Sequence, residues 1–268
     1  MTRHYSIQVV DRALEMLDLI ASASGVSFRS LVEATGLSAS TARRLLRVLV
    51  DLGVVERMGG EPLYVLGPRT LEFVAGTASY DRVLAELADG AMNCLRDKTE
   101  ETVSLYVREG KHRVCVHRSE GLGAVYQVVE VGQKLPLHCG ASGKVLLAWM
   151  PDHERAAVLP QLDYERFSPT TPTGPEELEA QIVAARAEGV AISFGERDPD
   201  IASVAAPVLT PDGQCLAALS CSGPIQRFLG ERLAQVKRAT KQAADEISGL
   251  LAGRREGIAQ AAGPLNDV

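Results

Sequence analysis

Between Gln8 and Ala23, apolar residues return at Val10, Ala13, Leu14, Leu17, Ile20 and Ala21, a rhythm that predicts a helix. The segment "SFRSLVEATG" predicts a second helix, with Ser27 as its N-cap and Gly36 just past its end. Only Leu37 separates that glycine from Ser38, a second N-cap candidate, so two short helices meet at a tight turn. The third helix is expected from Ala39 to about Leu52, with Gly53 as its stop. At about 100° per residue, Ala42, Leu45, Leu46, Leu49 and Leu52 gather on one face. Ser40, Arg43, Arg44 and Arg47 fall on the other. After it, "VVERMGGEPLYVLG" gives two short β-prone runs around Gly59-Gly60, a hairpin. Helix, helix, tight turn, helix, hairpin is the order of a winged helix-turn-helix.

Gly67-Pro68 marks the exit from the hairpin, and a mostly helical stretch follows. Residues 68–79 are expected as a linker helix and about 80–98 as the first helix of a second domain. "ETVSLYVREGKHRVCVHRS" reads as a hairpin turning at Glu109-Gly110-Lys111, and "GAVYQVVEVG" as a further strand. "SGKVLLAWM" is a short helix; "TGPEELEAQIVAARAEG" is a longer one, with Thr173 as N-cap and Gly189 as stop. "ASVAAPVLTPDGQCLAALSCSG" is a second hairpin, its turn at Pro211-Asp212-Gly213. An amphipathic helix over roughly 227–252 closes the pattern. Strands bracketed by helices indicate an α+β domain around an antiparallel sheet. The expected division is 1–67 for the winged helix-turn-helix, 68–79 for the linker helix, 80–256 for the second domain and 257–268 for a disordered tail.

Charge sharpens this division. The chain of 268 residues carries a formal net charge of −6. Residues 1–80 hold eight basic and eight acidic side chains, and the remaining 20 basic and 26 acidic groups lie beyond them. Arg43, Arg44 and Arg47 therefore stand in the balanced part of an acidic protein, with no carboxylate after them until Asp51. Such a cluster can be a solvated helix face or a dock for an acidic protein partner. On the third helix of a winged helix-turn-helix it reads as a major-groove surface, because arginine can donate two hydrogen bonds to guanine. Ser38, Ser40 and Thr41 sit at that helix's N-terminus, where free backbone N–H groups favour phosphate, and Arg57 on the hairpin is placed to meet the neighbouring backbone. One recognition helix spans few base pairs, so specificity calls for a dimer on paired half-sites of double-stranded DNA.

Other bulk features exclude more than they assign. No run approaches the roughly 18 apolar residues of a membrane helix, so no membrane partner is expected. The opening "MTRHYSIQVVDRALEML" does not read as a secretory signal. Five dispersed cysteines without a CxxC pair suit reduced thiols, hence a cytoplasmic location. "HCGASGKV" superficially matches a P-loop, yet His138 replaces its glycine and Val145 its hydroxyl. Ser142 lies outside any G-x-S-x-G elbow. His112, Cys115, His117, His138 and Cys139 are metal-ligand types without a recognised spacing, so neither a metal nor another cofactor is expected. An enzymatic or metal-binding second domain is the rival reading. What that domain offers instead is small polar groups in apolar strands: Ser203, and Ser220 and Ser222 flanking Cys221. They are matched by backbone amides where the "GASGK" turn opens a helix. A bound ligand, or ordinary serine–backbone bonding, accounts for such groups equally well.

"SIQVVDRALEMLDLIA", "GLSASTARRLLRVLVDLGVVER" and "YVLGPRTLEFVAG" resemble the IclR family of bacterial transcriptional regulators, as do "LPLHCGASGKVLLAWM", "GVAISFGERDPDIASVAAPVLTPDG" and "LAALSCSGP". The motifs follow the family's order over all but the last residues. The resemblance implies a DNA-binding regulator and not an enzyme, with a GAF-like effector domain and assembly as a homodimer or homotetramer. It implies a small-molecule effector, an organic acid or aromatic metabolite of a catabolic pathway. The implied pocket uses the backbone amides of Ala141 and Ser142 and the side chains of Ser203, Ser220 and Ser222, with Leu122, Val125 and Tyr126 on its apolar side. Where several members carry an acid ahead of the Gly-Glu pair, Ser193 stands two residues before Gly195-Glu196. That departure predicts a less polar pocket and argues against a glyoxylate-like effector.

Overall fold

The structure is a computed structural model that describes residues 8–21, 23, 25–58, 63–75, 77–123 and 129–260. The chain divides into two units, one running to Tyr80 and the other Asp81–Gly253.

The first unit holds helices α1 (Gln8–Ala21), α2 (Phe28–Thr35), α3 (Ala39–Asp51) and α4 (Arg69–Ala75), and strands β1 (Val26–Ser27), β2 (Val55–Arg57) and β3 (Leu63–Leu66). The strands form an antiparallel sheet in the order β1-β3-β2. Local chemistry sets each boundary. The Ser27 hydroxyl accepts from the Ser30 amide at 3.1 Å. Gly36 takes φ 64°, which only glycine adopts cheaply, and closes α2 by donating to the Val32 carbonyl. The Ser38 hydroxyl then accepts from the Thr41 amide at 3.2 Å, opening α3. Met16, Ile20, Leu31, Ala42, Leu45, Leu46 and Leu49 pack together with Val54 and Val55.

Three details depart from the sequence pattern. The buried face of α1 centres on Met16 and Ile20, while Val10 and Leu14 stay 51% and 48% exposed, because periodicity fixes a wide stripe and not its midline. Leu52 is 49% exposed, since it caps α3 where Gly53 turns the chain at φ 72°. Strand β1 is too short to announce itself by alternation. Beyond β3 the chain is clasped to the end of α3: Gly67 donates to Val54 O at 2.8 Å, and Arg69 reaches Gly53 O through its amide and Leu52 O through its guanidinium. A Cβ on Gly67 would lie 2.3 Å from Gly53 O, so only glycine fits this crossing.

The second unit is built on a six-stranded antiparallel sheet. In chain order come α5 (Thr77–Thr99), β4 (Thr102–Glu109), β5 (His112–Ser119), β6 (Lys134–Pro136), α6 (Ala141–Ala148), α7 (Asp152–Val158), α8 (Pro175–Glu188), β7 (Ala191–Phe194), β8 (Ile201–Leu209), β9 (Cys215–Pro224) and α9 (Gly230–Gln260). The sheet order is β6-β5-β4-β9-β8-β7. Side chains alternate across it. Leu219 and Cys221 join Leu84, Met92, Leu95, Val236 and Ile247 from α5 and α9 on one face. Tyr106, Ala205 and Ala218 join Val145 and Leu147 of α6 and Leu178 and Ile182 of α8 on the other. Both predicted hairpins form, β4–β5 and β8–β9, with Gly110 and Gly213 in their turns at positive φ.

Corrections cluster in the connections. Of the strand expected over 123–132, residues 124–128 lie outside the described residues, and 129–132 is irregular, turning at Val131-Gly132. The paired strand is β6. Gly174 and not Thr173 caps α8; the Glu177 carboxylate accepts from the Thr173 amide at 3.0 Å instead. Helix α9 continues to Gln260, into the segment expected as a disordered tail. No proline interrupts it there, and its interior glycines cost only about 1 kcal/mol each.

Candidate nucleic-acid interface and ligand pocket

On α3 the two faces separate cleanly. Ala42, Leu45, Leu46 and Leu49 are buried, whereas Ser38, Ser40, Arg43, Arg44 and Arg47 are exposed and Thr41 is half-buried. The Arg43 guanidinium lies 5.2 Å from the centre of the Phe28 ring, which steadies it without neutralising it. None of the three arginines forms an ion pair among the described residues. The hydroxyls at the start of the helix form a cluster, Ser38 Oγ lying 3.0 Å from Ser40 Oγ and 2.9 Å from Thr41 Oγ1. Arg57 is exposed on β2, opposite Tyr64 of β3. A row of uncompensated guanidiniums on a helix held firmly by its other face is what phosphate and base edges require.

In the second unit a cavity opens between the start of α6 and the sheet. Its lining includes Gly140, Ala141, Ser142, Ser193, Ser203 and Ser220, with Tyr106, Leu135 and Ile201 as apolar wall. Arg113, Arg197 and Asp198 complete it. As it stands it offers about 30 Å³, room for about two or three waters. Backbone order decides what faces it. Ser193 pairs with Ser203 across β7–β8, and Ala205 with Ser220 across β8–β9. The Ala141 amide reaches Ser203 Oγ at 3.4 Å, and the Ser142 amide sits in the first turn of α6, where no intrahelical acceptor exists.

Beside the cavity the Gly-Lys and Gly-Glu pairs of the sequence meet. Lys144 Nζ donates to Glu196 Oε1 at 2.5 Å, to Gln181 Oε1 at 2.8 Å and to Ile192 O at 2.6 Å. The other Glu196 oxygen accepts from the Gly140 amide at 2.7 Å. Burial pushes the Lys144 pKa down, and the Glu196 carboxylate opposes that shift. This pair fixes the turn that presents the α6 amides. Arg113 approaches from β5, its Nη1 donating to the Pro136 and Cys139 carbonyls.

His138 is buried, with its Nε2 donating to Glu165 O at 2.9 Å and its ring stacked on Phe167. Among the described residues no three His, Cys, Asp or Glu side chains converge on a metal-sized site. Burial pushes the Cys115 thiol up to about 11, so it stays protonated.

The structure thus brings Ala141, Ser142, Ser193, Ser203 and Ser220 together. It leaves Ser222 out of the lining, because two residues along β9 carry it roughly 7 Å onward, opposite Thr102 and Ser203. Cys221 points to the other face, 3.6 Å from Thr99 Oγ1. Leu122 is 63% exposed and lines nothing there, since it lies in the loop after β5. Val125 and Tyr126 lie outside the described residues. The expectation of a less polar pocket does not hold: two guanidiniums and a carboxylate line it despite serine at 193. Sequence reading passed over Arg113, although alternation places it on the same face as the buried Cys115.

Family comparison agrees with this division. The family model described as "IclR helix-turn-helix domain" matches residues 9–59, and "Bacterial transcriptional regulator IclR C-terminal" matches residues 78–249. The HTH-type transcriptional regulator XynR of Escherichia coli is 31% identical over 90% of this chain and 96% of its own. The crystal structure of the Thermotoga maritima IclR superposes with a TM-score of 0.62 at 28% identity, over 92% of this chain and 99% of that one. An IclR homolog from Microbacterium hydrocarbonoxydans, complexed with 4-hydroxybenzoate, gives a TM-score of 0.60 at 26% identity, over 91% and 99%. Among the described residues no helix is long and apolar enough to cross a membrane.

Proposed function

Because the chain belongs to the IclR family of bacterial transcriptional regulators, we propose that it controls transcription from the cytoplasm by binding paired half-sites of double-stranded DNA through α3. Residues 1–67 read the operator, 68–79 link, and 80–256 sense the effector. The observation that carries this reading is the bare face of α3, where Arg43, Arg44 and Arg47 stand exposed without a carboxylate partner. In this reading Ser38, Ser40 and Thr41 meet phosphate at the helix N-terminus, and Arg57 on the wing touches the adjoining backbone. A homodimer or homotetramer supplies the second recognition helix. Exposed Phe73 on α4 (66%), with Val10 and Leu14 on α1, supports that assembly, because apolar side chains left in water gain by pairing.

The cavity holds the effector, a small organic acid or aromatic metabolite. A ligand that binds one arrangement of the dimer better than the other shifts operator affinity by its differential affinity and no more. The Microbacterium homolog makes 4-hydroxybenzoate the first compound to try. A mobility-shift assay on DNA upstream of this protein's own gene tests the reading. Single Arg43→Ala, Arg44→Ala and Arg47→Ala variants should each lose about 1–3 kcal/mol of operator affinity where the arginine reads a base. A phosphate contact should instead weaken all sequences evenly and flatten the salt dependence. If all three variants bind like the parent, α3 is a solvated face and the reading fails.

A further inference from the structure

Among the described residues Arg113 is a cation without a counter-ion. It is 3% exposed, and it lines the cavity together with Ala141, Ser142 and Ser220. Among the described residues only Nη1 of its guanidinium makes hydrogen bonds, to the carbonyls of Pro136 and Cys139; Nε is buried without one, and the group lies 5.6 Å from the centre of the Tyr106 ring. No carboxylate pairs with it, and the nearby Glu196 is already committed to Lys144 and the Gly140 amide. Arg197, on the same lining, also forms no ion pair among the described residues, and Asp198 is the one carboxylate in that lining. Two guanidiniums against one carboxylate leave the cavity with a surplus positive charge.

The turn is also kept clear for this side chain. A Cβ on Gly140 would come 2.9 Å from Nη2 of Arg113, and one on Gly143 would come 3.0 Å from Nη1. A structural role as a clasp for two carbonyls needs a single nitrogen. It does not explain a five-donor fork lining a cavity with its buried Nε left without a hydrogen bond among the described residues, where an unpaired charge is expensive. Bidentate capture of a carboxylate does explain it.

We propose that Arg113 is the specificity-determining anion receptor of this pocket. The occupant is a small carboxylate held between the free edge of the guanidinium and the Ser142 amide, with Ser203 and Ser220 at its flank and Arg197 beside it. This inference rests on reading the cavity as the effector site, and it deepens that reading by naming the charge and the residue that selects it. The present volume sets the scale of the occupant: a compact acid enters as the cavity stands, and a larger one must displace side chains first.

The test is thermal unfolding and calorimetric titration of the full chain at constant ionic strength. The probes are millimolar acetate, oxalate, malonate, succinate, benzoate and 4-hydroxybenzoate, each beside its neutral amide. At least one acid should stabilise the parent protein while its amide does not. Arg113→Gln should weaken that acid by roughly tenfold or more, and Arg113→Lys by less, because it keeps the charge but loses the fork. Should Arg113→Gln not fold, Arg113→Lys and Arg197→Gln decide, and unchanged affinity in both overturns the proposal. It is also overturned if acid and amide act alike, if Arg113→Gln binds like the parent, or if no acid binds at all. An acid that binds through Arg113 yet leaves operator affinity unaltered keeps Arg113 as the receptor and removes the effector reading.

Discussion

At the scale of single residues, two serines on one strand put the proposed ligand pocket to the test. Ser220 lines the cavity and Ser222 does not, although they share a strand face. Ser220→Ala should therefore weaken the effector response of the operator complex by roughly tenfold, the worth of one well-made hydrogen bond, and Ser222→Ala should leave it near the parent. Equal effects from both would place the ligand elsewhere. His138 sets a pH signature. Burial holds its pKa below the ordinary 6.5, so the folded chain keeps it neutral while the unfolded chain takes up a proton. Stability should be full above about pH 6.5 and fall as the pH drops toward the lowered folded value. His138→Gln should flatten that fall in a series of melting curves between neutral and mildly acidic pH. The serines were visible in the sequence because polar residues interrupt apolar runs there. Arg113 was not, because a strand that mixes arginines and histidines gives no hint of which cation is inside.

Elements were legible wherever local chemistry settles them. Ser27, Gly36, Ser38 and Gly189 each cap a helix where the pattern expects, and both long hairpins turn at their glycines. Short or tertiary elements escaped. Strand β1 has two residues, and β6 exists only because β5 offers it an edge. The start of α6 shows what such tertiary demands cost. A Cβ on Gly143 would lie 2.2 Å from the Leu137 carbonyl oxygen, a backbone atom that cannot step aside. Gly143→Ala should thus lower stability by about 2 kcal/mol or more, although alanine is the better helix former. A melting temperature equal to the parent's would mean the loop before α6 yields more readily than its contacts suggest.

For the whole molecule, the charge separates a balanced stretch, residues 1–80, from an acidic remainder, and the proposed assembly would draw on surfaces of a second copy. Assembly is testable in solution. The protein should sediment well above its 28.6 kDa chain mass and protect two half-sites in a footprint. Phe73→Asp should shift it toward monomer and weaken operator binding more than it lowers the melting temperature, since Phe73 is exposed within the chain. A monomer protecting one half-site contradicts the proposed assembly. The split character of α3 has its own consequence for descent after gene duplication. Arg44 and Arg47 touch neither an acid nor the core, so each can be exchanged in one mutational step without a compensating change elsewhere. The hydrogen-bonded clasp from Leu52, Gly53 and Val54 to Gly67 and Arg69 is untouched by such exchanges. A daughter gene can thus acquire a new set of targets while inheriting its parent's chemical sense intact.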